Sequence, residues 1–272
     1  MLLQENLAET ATRVADVDAL QDGTTALWEA VMEDWPESAR ALVAAGADLW
    51  RPLITGWSPG RLSLAGPTPN LFTLPDGQQE LSDTERAAAH QAHQLLAVLK
   101  DTHHEGLGLV CVAGIGAPEA IRRLDAAPVE GSRLHALQPP SWDEDLCTVG
   151  VTTVPGGCII TQPWGYAPQM PGVQKLLSAG TSCYGLYVNA KSGDQGSIAH
   201  NGIIEDWDLT PGGDLDPENT PTSQEVHQHY LYRYNAIAYA CAWAGLHPAD
   251  PRAVIGPPDI WVDLPDRDYW HS

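Results

Sequence analysis

Asp22-Gly-Thr-Thr-Ala-Leu27, with Leu42-Val-Ala-Ala-Gly-Ala-Asp48 after it, is the stretch of sequence that decides the fold of the N-terminal part. The motif returns in outline at Gly56-Trp57-Ser58-Pro59, so that Gly23 and Gly56 lie 33 residues apart. Self-similarity at a fixed period of this length is typical of repeat architectures, in which each unit buries its apolar face against the next one. The sequence therefore predicts a short repeat array at the start of the chain.

The unit between the two glycines has the elements of a hairpin followed by two helices. Asp22-Gly23 makes a tight turn, an inner helix is expected over 25–34, Pro36 breaks it, and an outer helix over 37–45 ends at Gly46. This unit resembles the ankyrin repeat, and the resemblance covers residues 3–101. It implies protein binding through finger tips and inner-helix faces, for which the candidates are Leu20, Gln21, Glu33, Trp50, Arg51 and Trp57.

The neighbouring units are less regular. Residues 3–14 are expected to be the outer helix of a preceding half repeat, and in the unit after Gly56 the family's usual Leu is replaced by Gly60. A Pro- and Gly-rich stretch over 66–81 interrupts that unit before an outer helix expected over 83–101, with Ser82 and Glu85 as its capping box. Because about three repeats are needed to bury a continuous core, we expect the array to dock against a second domain, and pure capping is the alternative to binding.

From Gly106 the pattern changes to short strands and turns. The prediction is an α+β protein in which an all-helical ankyrin array, residues 1–104, precedes an antiparallel-sheet domain, residues 105–272. Pro155-Gly156-Gly157 and Asn201-Gly202 are the hairpin signals. The predicted strands are 107–113, 146–154, 158–162, 182–190, 197–200 and 203–208, and the predicted helices are 118–124, 171–179 and 222–243.

Part of this second domain also resembles a known family. The stretches Cys111-Val-Ala-Gly-Ile-Gly-Ala-Pro-Glu-Ala-Ile-Arg-Arg-Leu124 and Leu176-Leu-Ser-Ala-Gly-Thr181 are similar to an uncharacterised family common in actinobacteria, over about residues 106–215. The resemblance implies a fold unit and a bacterial source but no activity. Where that family usually has an aromatic residue, this chain has Gly196-Ser197.

Charge and composition narrow the function classes. The formal net charge of −21 disfavours binding to the phosphates of nucleic acids and favours a basic protein partner, although a well-solvated surface explains it too. No apolar run is long enough for a membrane span and the N-terminus lacks the pattern of a signal peptide. The prediction is a cytoplasmic protein without membrane or nucleic-acid partners.

Few residues have the pattern of a catalytic or metal site. Cys183, His200 and Asp206 fall on or next to neighbouring predicted strands, where a Cys–His pair is capable of nucleophilic chemistry if the side chains meet, and a buried free cysteine is the alternative. His90 and His93 lie three residues apart without a third ligand at motif spacing. We therefore predict neither a metal nor a cofactor.

Two functions follow from these patterns. The first is a protein-binding or regulatory module that uses the ankyrin array, a class that includes toxin-neutralising immunity proteins. The alternative is an enzyme acting on a small molecule, with a tailoring or cyclising activity in secondary metabolism and a pocket in the C-terminal domain or at the domain junction. A ligand-sized apolar cavity favours the enzyme, and an exposed tryptophan-rich acidic surface favours the binding protein.

Overall fold

The protein is a mixture of α-helices and one antiparallel sheet. The computed structural model describes residues 16–102, 106–129, 147–189, 191, 193–212 and 221–271. Within these ranges the helices are α1 Ala26–Met32, α2 Pro36–Ala44, α3 Pro59–Ser63, α4 Asp83–Leu99, α5 Ala117–Leu124, α6 Pro171–Leu177, α7 Ser223–Tyr232, α8 Ala236–Trp243 and α9 Arg252–Ile255. The strands there are β1 Leu107–Ala113, β2 Ala127–Pro128, β3 Thr148–Val154, β4 Gly157–Pro163, β5 Ser182–Val188, β6 Gln195–His200, β7 Ile203–Asp208 and β8 Ile260–Asp263. The predicted helix over 3–14 lies outside the described residues.

The chain forms two compact units that do not follow a single cut in the sequence. The first unit comprises residues 1–93 and 213–233, and the second comprises residues 94–212 and 234–272. The predicted boundary after residue 104 differs from this division, because helix α7 belongs to the first unit. Helix α7 contacts Trp57, which lies 166 residues before Ser223 in the chain, and no local sequence pattern relates the two positions.

The first unit contains a structural repeat with a period of 33 residues. Asp22-Gly23 and Thr55-Gly56 both have left-handed backbone, with φ of 50° and 84° in the first pair and 48° and 83° in the second. The first of these turns closes a hairpin and the second is a 3₁₀ turn, Ile54–Gly56. Each turn is followed by an N-capping hydroxyl that accepts from a backbone N–H three residues later: Thr25 from Trp28, and Ser58 from Arg61. The turn, the N-cap and the first residue of the helix therefore each recur after 33 residues.

The helices of the first unit follow the sequence signals closely. Helix α2 begins at Pro36, as the missing proline N–H favours, and ends before Gly46, whose φ is +100°. Helix α4 begins with the predicted capping box, in which the Ser82 hydroxyl accepts from the Glu85 N–H and the Glu85 carboxylate accepts from the Ser82 N–H. Both predicted helices are present, α2 one residue earlier than predicted and α4 ending at Leu99 instead of Asp101.

The second unit is built on an eight-stranded antiparallel sheet in the order β2-β8-β3-β4-β1-β5-β6-β7. The predicted hairpins β3–β4 and β6–β7 are both present, the second one turning at Asn201-Gly202 with φ of 50° and 80°. Strand β1 is buried along nearly its whole length, as expected of a central strand with apolar residues on both faces.

Each face of this sheet has its own apolar partners. On one face Val110, Val112 and Cys183 belong to a buried cluster that includes residues of α5 and α6. On the other face, the Cys111 sulfur lies 3.7 Å from the Cys241 sulfur of α8, and the Tyr184 ring packs edge-on against Tyr239 of the same helix. The sheet is therefore the middle layer of a three-layer core.

The single long helix predicted over 222–243 is wrong. Its capping box of Thr222 and Glu225 is present, but α7 ends at Tyr232 and a separate helix α8 begins at Ala236. Asn235 produces the break, because its side-chain oxygen accepts from the N–H of Ala238 and so caps a new helix. The strands β2 and β8 and the short helix α9 are absent from the prediction.

Candidate functional site

The hairpin that precedes α1 presents an exposed tip. Gln21 and Thr24 close the hairpin through two backbone hydrogen bonds of 2.9 and 3.0 Å, and the turn residues between them are exposed. Leu20 enters the hairpin with 53% of its surface exposed, and Gln21 is also exposed. Two of the predicted binding residues therefore lie on an accessible surface.

The two fingers of the repeat are held side by side. The Asp18 carboxylate accepts from the N–H of Asp48 at 3.0 and 3.1 Å, and the Arg51 guanidinium donates to the Asp18 carbonyl oxygen at 3.1 Å. These bonds fix the spacing of the finger that carries Leu20 relative to the finger that carries Trp50. We call the exposed and half-buried residues Leu20, Gln21, Trp50 and Arg51 the finger surface. Another predicted binding residue, Glu33, is half-buried at the C-terminal cap of α1 and so lies outside the two fingers.

The finger surface lies in a strongly acidic stretch of chain. Residues 16–51 contain eight carboxylates and two arginines. Arg40 pairs with Glu37 at 2.6 Å, and Arg51 is bonded to the Asp18 carbonyl oxygen. Two arginines against eight carboxylates give this stretch a formal charge of −6, and negative charge attracts cationic partners and repels anionic ones.

Trp50 is half-buried, and its ring packs against Gly60. A Cβ added to Gly60 would lie 2.8 Å from the Cε3 and Cζ3 atoms of the Trp50 ring. The indole therefore fills the space that a larger side chain at position 60 would need. This packing explains why position 60 has glycine.

Trp57 does not belong to the finger surface, and this part of the binding prediction is corrected. Its side chain is fully buried, and its indole N–H donates to the carbonyl and hydroxyl oxygens of Ser223, both at 2.9 Å. The ring stacks on His227 with centroids 5.1 Å apart, and the guanidinium carbon of Arg61 lies 4.1 Å from its centroid. Trp57 is a core residue that α7 covers.

A buried ion pair lies beside this tryptophan. Arg61 donates to both carboxylate oxygens of Glu85 at 2.8 Å, and both side chains are largely buried. Burial raises the pKa of Glu85, but the hydrogen bonds from Ser82 and the charge of Arg61 outweigh it and hold that pKa below its ordinary value. Burial also lowers the pKa of His227, so that its ring is neutral near pH 7. No local sequence pattern predicts this cluster, because its members are far apart in the chain.

The three catalytic candidates do not assemble, and that hypothesis is corrected. On β5 and β6, Cys183 lies opposite Ala199 whereas Ser182 lies opposite His200, so Cys183 and His200 point to opposite faces of the sheet. Asp206 of β7 lies opposite Ile198 and shares the face of His200. A nucleophile and a base separated by the sheet cannot exchange a proton.

The surroundings of these residues also differ from those of a reactive cysteine. Cys183 is fully buried in the apolar cluster, and burial raises the pKa of its thiol to about 12. The His200 Nε2 atom lies 3.7 Å from a Glu205 carboxylate oxygen, and its ring packs on Trp243. Cys183 is therefore a protonated core residue at neutral pH.

A polar contact that the sequence did not reveal anchors strand β7. The Tyr184 hydroxyl donates to the Asp208 carboxylate at 2.6 Å, and burial together with that carboxylate raises the pKa of the tyrosine. A Cβ on Gly196 would lie 2.2 Å from the Tyr184 hydroxyl oxygen. Glycine at this position leaves room for the Tyr184 side chain to reach across β6 to β7.

We expect Tyr184→Phe to lower the free energy of unfolding by about 2 kcal/mol, because the Asp208 carboxylate loses a buried charge-assisted hydrogen bond. Urea denaturation at pH 7 measures the change. Tyr187→Phe on the same strand is the matched control, since the Tyr187 ring packs against Tyr166 and keeps that contact without its hydroxyl. Equal unfolding midpoints for the two variants would show that the Tyr184 bond contributes nothing.

The cavities given by the described residues are small. One cavity of about 50 Å³ is lined by residues that include Lys100, Tyr234 and Asn235, and another of about 10 Å³ lies beside Tyr230. Both are well below the several hundred cubic ångströms of ordinary ligand pockets. Within the described ranges, no cluster of three His, Cys, Asp or Glu side chains is placed to hold a metal ion. No helix there has the length and apolar character needed to cross a bilayer.

Comparisons with protein-family models, with curated proteins and with solved structures give no match for this chain.

Proposed function

We propose that the protein is a binding module that recognises a basic protein partner through the finger surface. The observation that carries the proposal is the exposed tip at Leu20 and Gln21, set in an acidic stretch and held in fixed spacing by the bonds from Asp48 and Arg51 to Asp18. An apolar contact surrounded by charges of one sign suits a partner with the opposite charge, which it attracts over a distance and binds on contact.

The 33-residue repeat supports assigning the first unit to the ankyrin family. Paired left-handed turns, paired N-caps and paired helix starts at this period are what that architecture requires. Ankyrin arrays bind proteins, and a regulator or an immunity protein that neutralises a basic toxin fits the charge. The proposal places the protein in the cytoplasm, and we also propose that residues 106–215 belong to the uncharacterised actinobacterial family.

Nothing in the described sheet favours the enzyme alternative over binding. The separation of Cys183 from His200 removes the arrangement on which a nucleophilic mechanism was based.

Affinity capture from the lysate of the host cells tests the proposal. The wild type is expected to retain a basic protein in stoichiometric amount, whereas Leu20→Lys is expected to retain at most about one tenth of it, since the substitution replaces an apolar contact with a repelling charge. Ile255→Lys is the matched control, because Ile255 is an equally exposed aliphatic residue of the second unit, at 55%.

Two results would count against the finger surface. Equal retention by wild type and Leu20→Lys would place the partner elsewhere on the protein. Capture of no stoichiometric protein by the wild type would contradict the binding function itself.

A further inference from the structure

Strand β7 is an open edge of the sheet. The other end of the sheet is protected, because β2 has two residues and one of them is Pro128. Strand β7 has six residues and contains neither proline nor lysine, and among the described residues no strand pairs with its outer side. A sheet edge without a neighbouring strand is a template for a further strand. On this edge β7 has a bulge between Ile204 and Asp206, and the Trp207 N–H donates to the Asp206 carboxylate at 2.8 Å, a bond that an added strand replaces.

The edge also exposes large apolar side chains. Ile203 is 63% exposed, Trp207 is 49% exposed, and Leu209, directly after the strand, is 72% exposed. Exposed tryptophan next to unpaired backbone is typical of binding surfaces, because tryptophan contributes a large contact area at little cost in conformational entropy.

The register places Ile204 and Trp207 of β7 on one face of the sheet and Asp206 and Asp208 on the other, where Ile203 also lies beside the turn. Trp207 lies opposite Ser197 and Ile204 opposite Ala199, which places both on the face of Cys183. Asp206 lies opposite Ile198, and Asp208 lies opposite Gly196, which places both on the other face. A strand added beside β7 therefore meets an apolar surface on one face and carboxylates on the other.

The charges decide which strand fits this edge. In the antiparallel registers of two copies of β7 that set Asp206 opposite Asp206 or Asp208, carboxylates of the two copies face each other, an arrangement that is destabilising. Residues 203–218 contain six carboxylates and no basic residue to offset them. A second copy is therefore disfavoured, and a strand with basic side chains on the carboxylate face is favoured.

We propose that the β7 edge binds an extended peptide segment of another protein in which basic and apolar residues alternate. The segment adds a ninth strand, places its basic side chains beside Asp206 and its apolar ones beside Trp207, and hydrogen bonds to the outer backbone of β7. This surface lies in the second unit and does not depend on the finger surface, so either proposal can fail alone.

The test uses the full-length protein and a short fluorescent peptide in which lysine and valine alternate. Binding is measured by anisotropy, and hydrogen exchange locates the site. The wild type is expected to bind the peptide and to protect the amides of residues 203–208. Asp206→Lys and Trp207→Lys, both at exposed positions, are expected to weaken binding by about tenfold or more, while Ile255→Lys binds like the wild type.

Three results would overturn the proposal. The first is equal binding of a peptide with glutamate in place of lysine, since charge would then not select the strand. The second is binding without protection of residues 203–208. The third is a dimer in sedimentation analysis that Trp207→Lys converts to a monomer, because a second copy would then occupy the edge.

Discussion

Trp57→Ala is expected to lower the free energy of unfolding of the first unit by about 3–5 kcal/mol, the range for removing a large aromatic side chain from a core. The variant loses the stacking on His227, the contact with the Arg61 guanidinium and the hydrogen bond to Ser223. Because these contacts join the repeat to α7, their loss exposes both segments together. Urea denaturation gives the change in free energy, and hydrogen exchange shows where protection is lost.

The location of the faster hydrogen exchange distinguishes the loss of the contacts between Trp57 and α7 from a general loss of stability. Faster exchange is expected in residues 16–93 and 221–233, while strands β1, β4 and β5 keep the protection of the wild type. Trp207→Ala is the control, since that tryptophan is half exposed and its removal changes stability by less than about 1 kcal/mol. Unchanged stability of Trp57→Ala would show that α7 does not complete the core of the first unit.

Glu85→Gln is expected to destabilise the protein by about 3 kcal/mol at pH 7, because it leaves the largely buried Arg61 guanidinium without its counter-charge. Removing both charges is expected to lower the free energy of unfolding by less, about 1 kcal/mol, which is the typical effect of losing a cap such as the Ser82–Glu85 bond. The double variant Arg61→Met with Glu85→Leu leaves no buried charge unpaired, and methionine keeps an unbranched side chain over the Trp57 ring. Unfolding midpoints of the wild type, the single variant and the double variant measure these differences.

The contribution of Glu85 to the free energy of unfolding depends on pH, and the shift of its pKa determines the direction of that dependence. The folded-state pKa of Glu85 lies below the ordinary value of 4.5. The stabilisation is therefore fully present above pH 4.5 and is lost as the pH falls through the lower, folded-state pKa. The difference in the free energy of unfolding between wild type and Glu85→Gln should be constant from pH 7 to pH 5 and should decrease below pH 4.5. A difference in the free energy of unfolding that increases as the pH is lowered would contradict the Arg61–Glu85 ion pair.

Local sequence signals predicted most of the elements. The bounds of β1 were predicted without error, and the turns at Asp22-Gly23 and Asn201-Gly202 are both present, because each depends on residues that are neighbours in the chain. The capping boxes at Ser82 and Thr222 were recognisable for the same reason. Strand β8 was missed, since its four residues in a Pro- and Trp-rich tail give too short a pattern to recognise.

Features that depend on contacts between residues far apart in the chain could not be predicted from the sequence. Trp57 was assigned to the binding surface because its place in the repeat is next to a finger tip, and only the approach of Ser223, 166 residues later in the chain, shows that it is buried. The separation of Cys183 from His200 needed the register of β5 and β6, since a shift of one residue changes which face a side chain takes. Leu20 and Gln21 remain predicted binding residues on an accessible surface.

Cysteine labelling in host-cell lysate tests the central claim, that a partner covers the finger surface, most directly. Leu20→Cys and Ile255→Cys are each made with Cys147→Ser, because Cys147 is the exposed native cysteine among the described residues. The rate of maleimide labelling is then compared between buffer and lysate. Our account predicts that lysate slows labelling of Leu20→Cys by about tenfold and leaves that of Ile255→Cys unchanged, since only the first position is covered. Equal labelling rates of Leu20→Cys in buffer and lysate would contradict it.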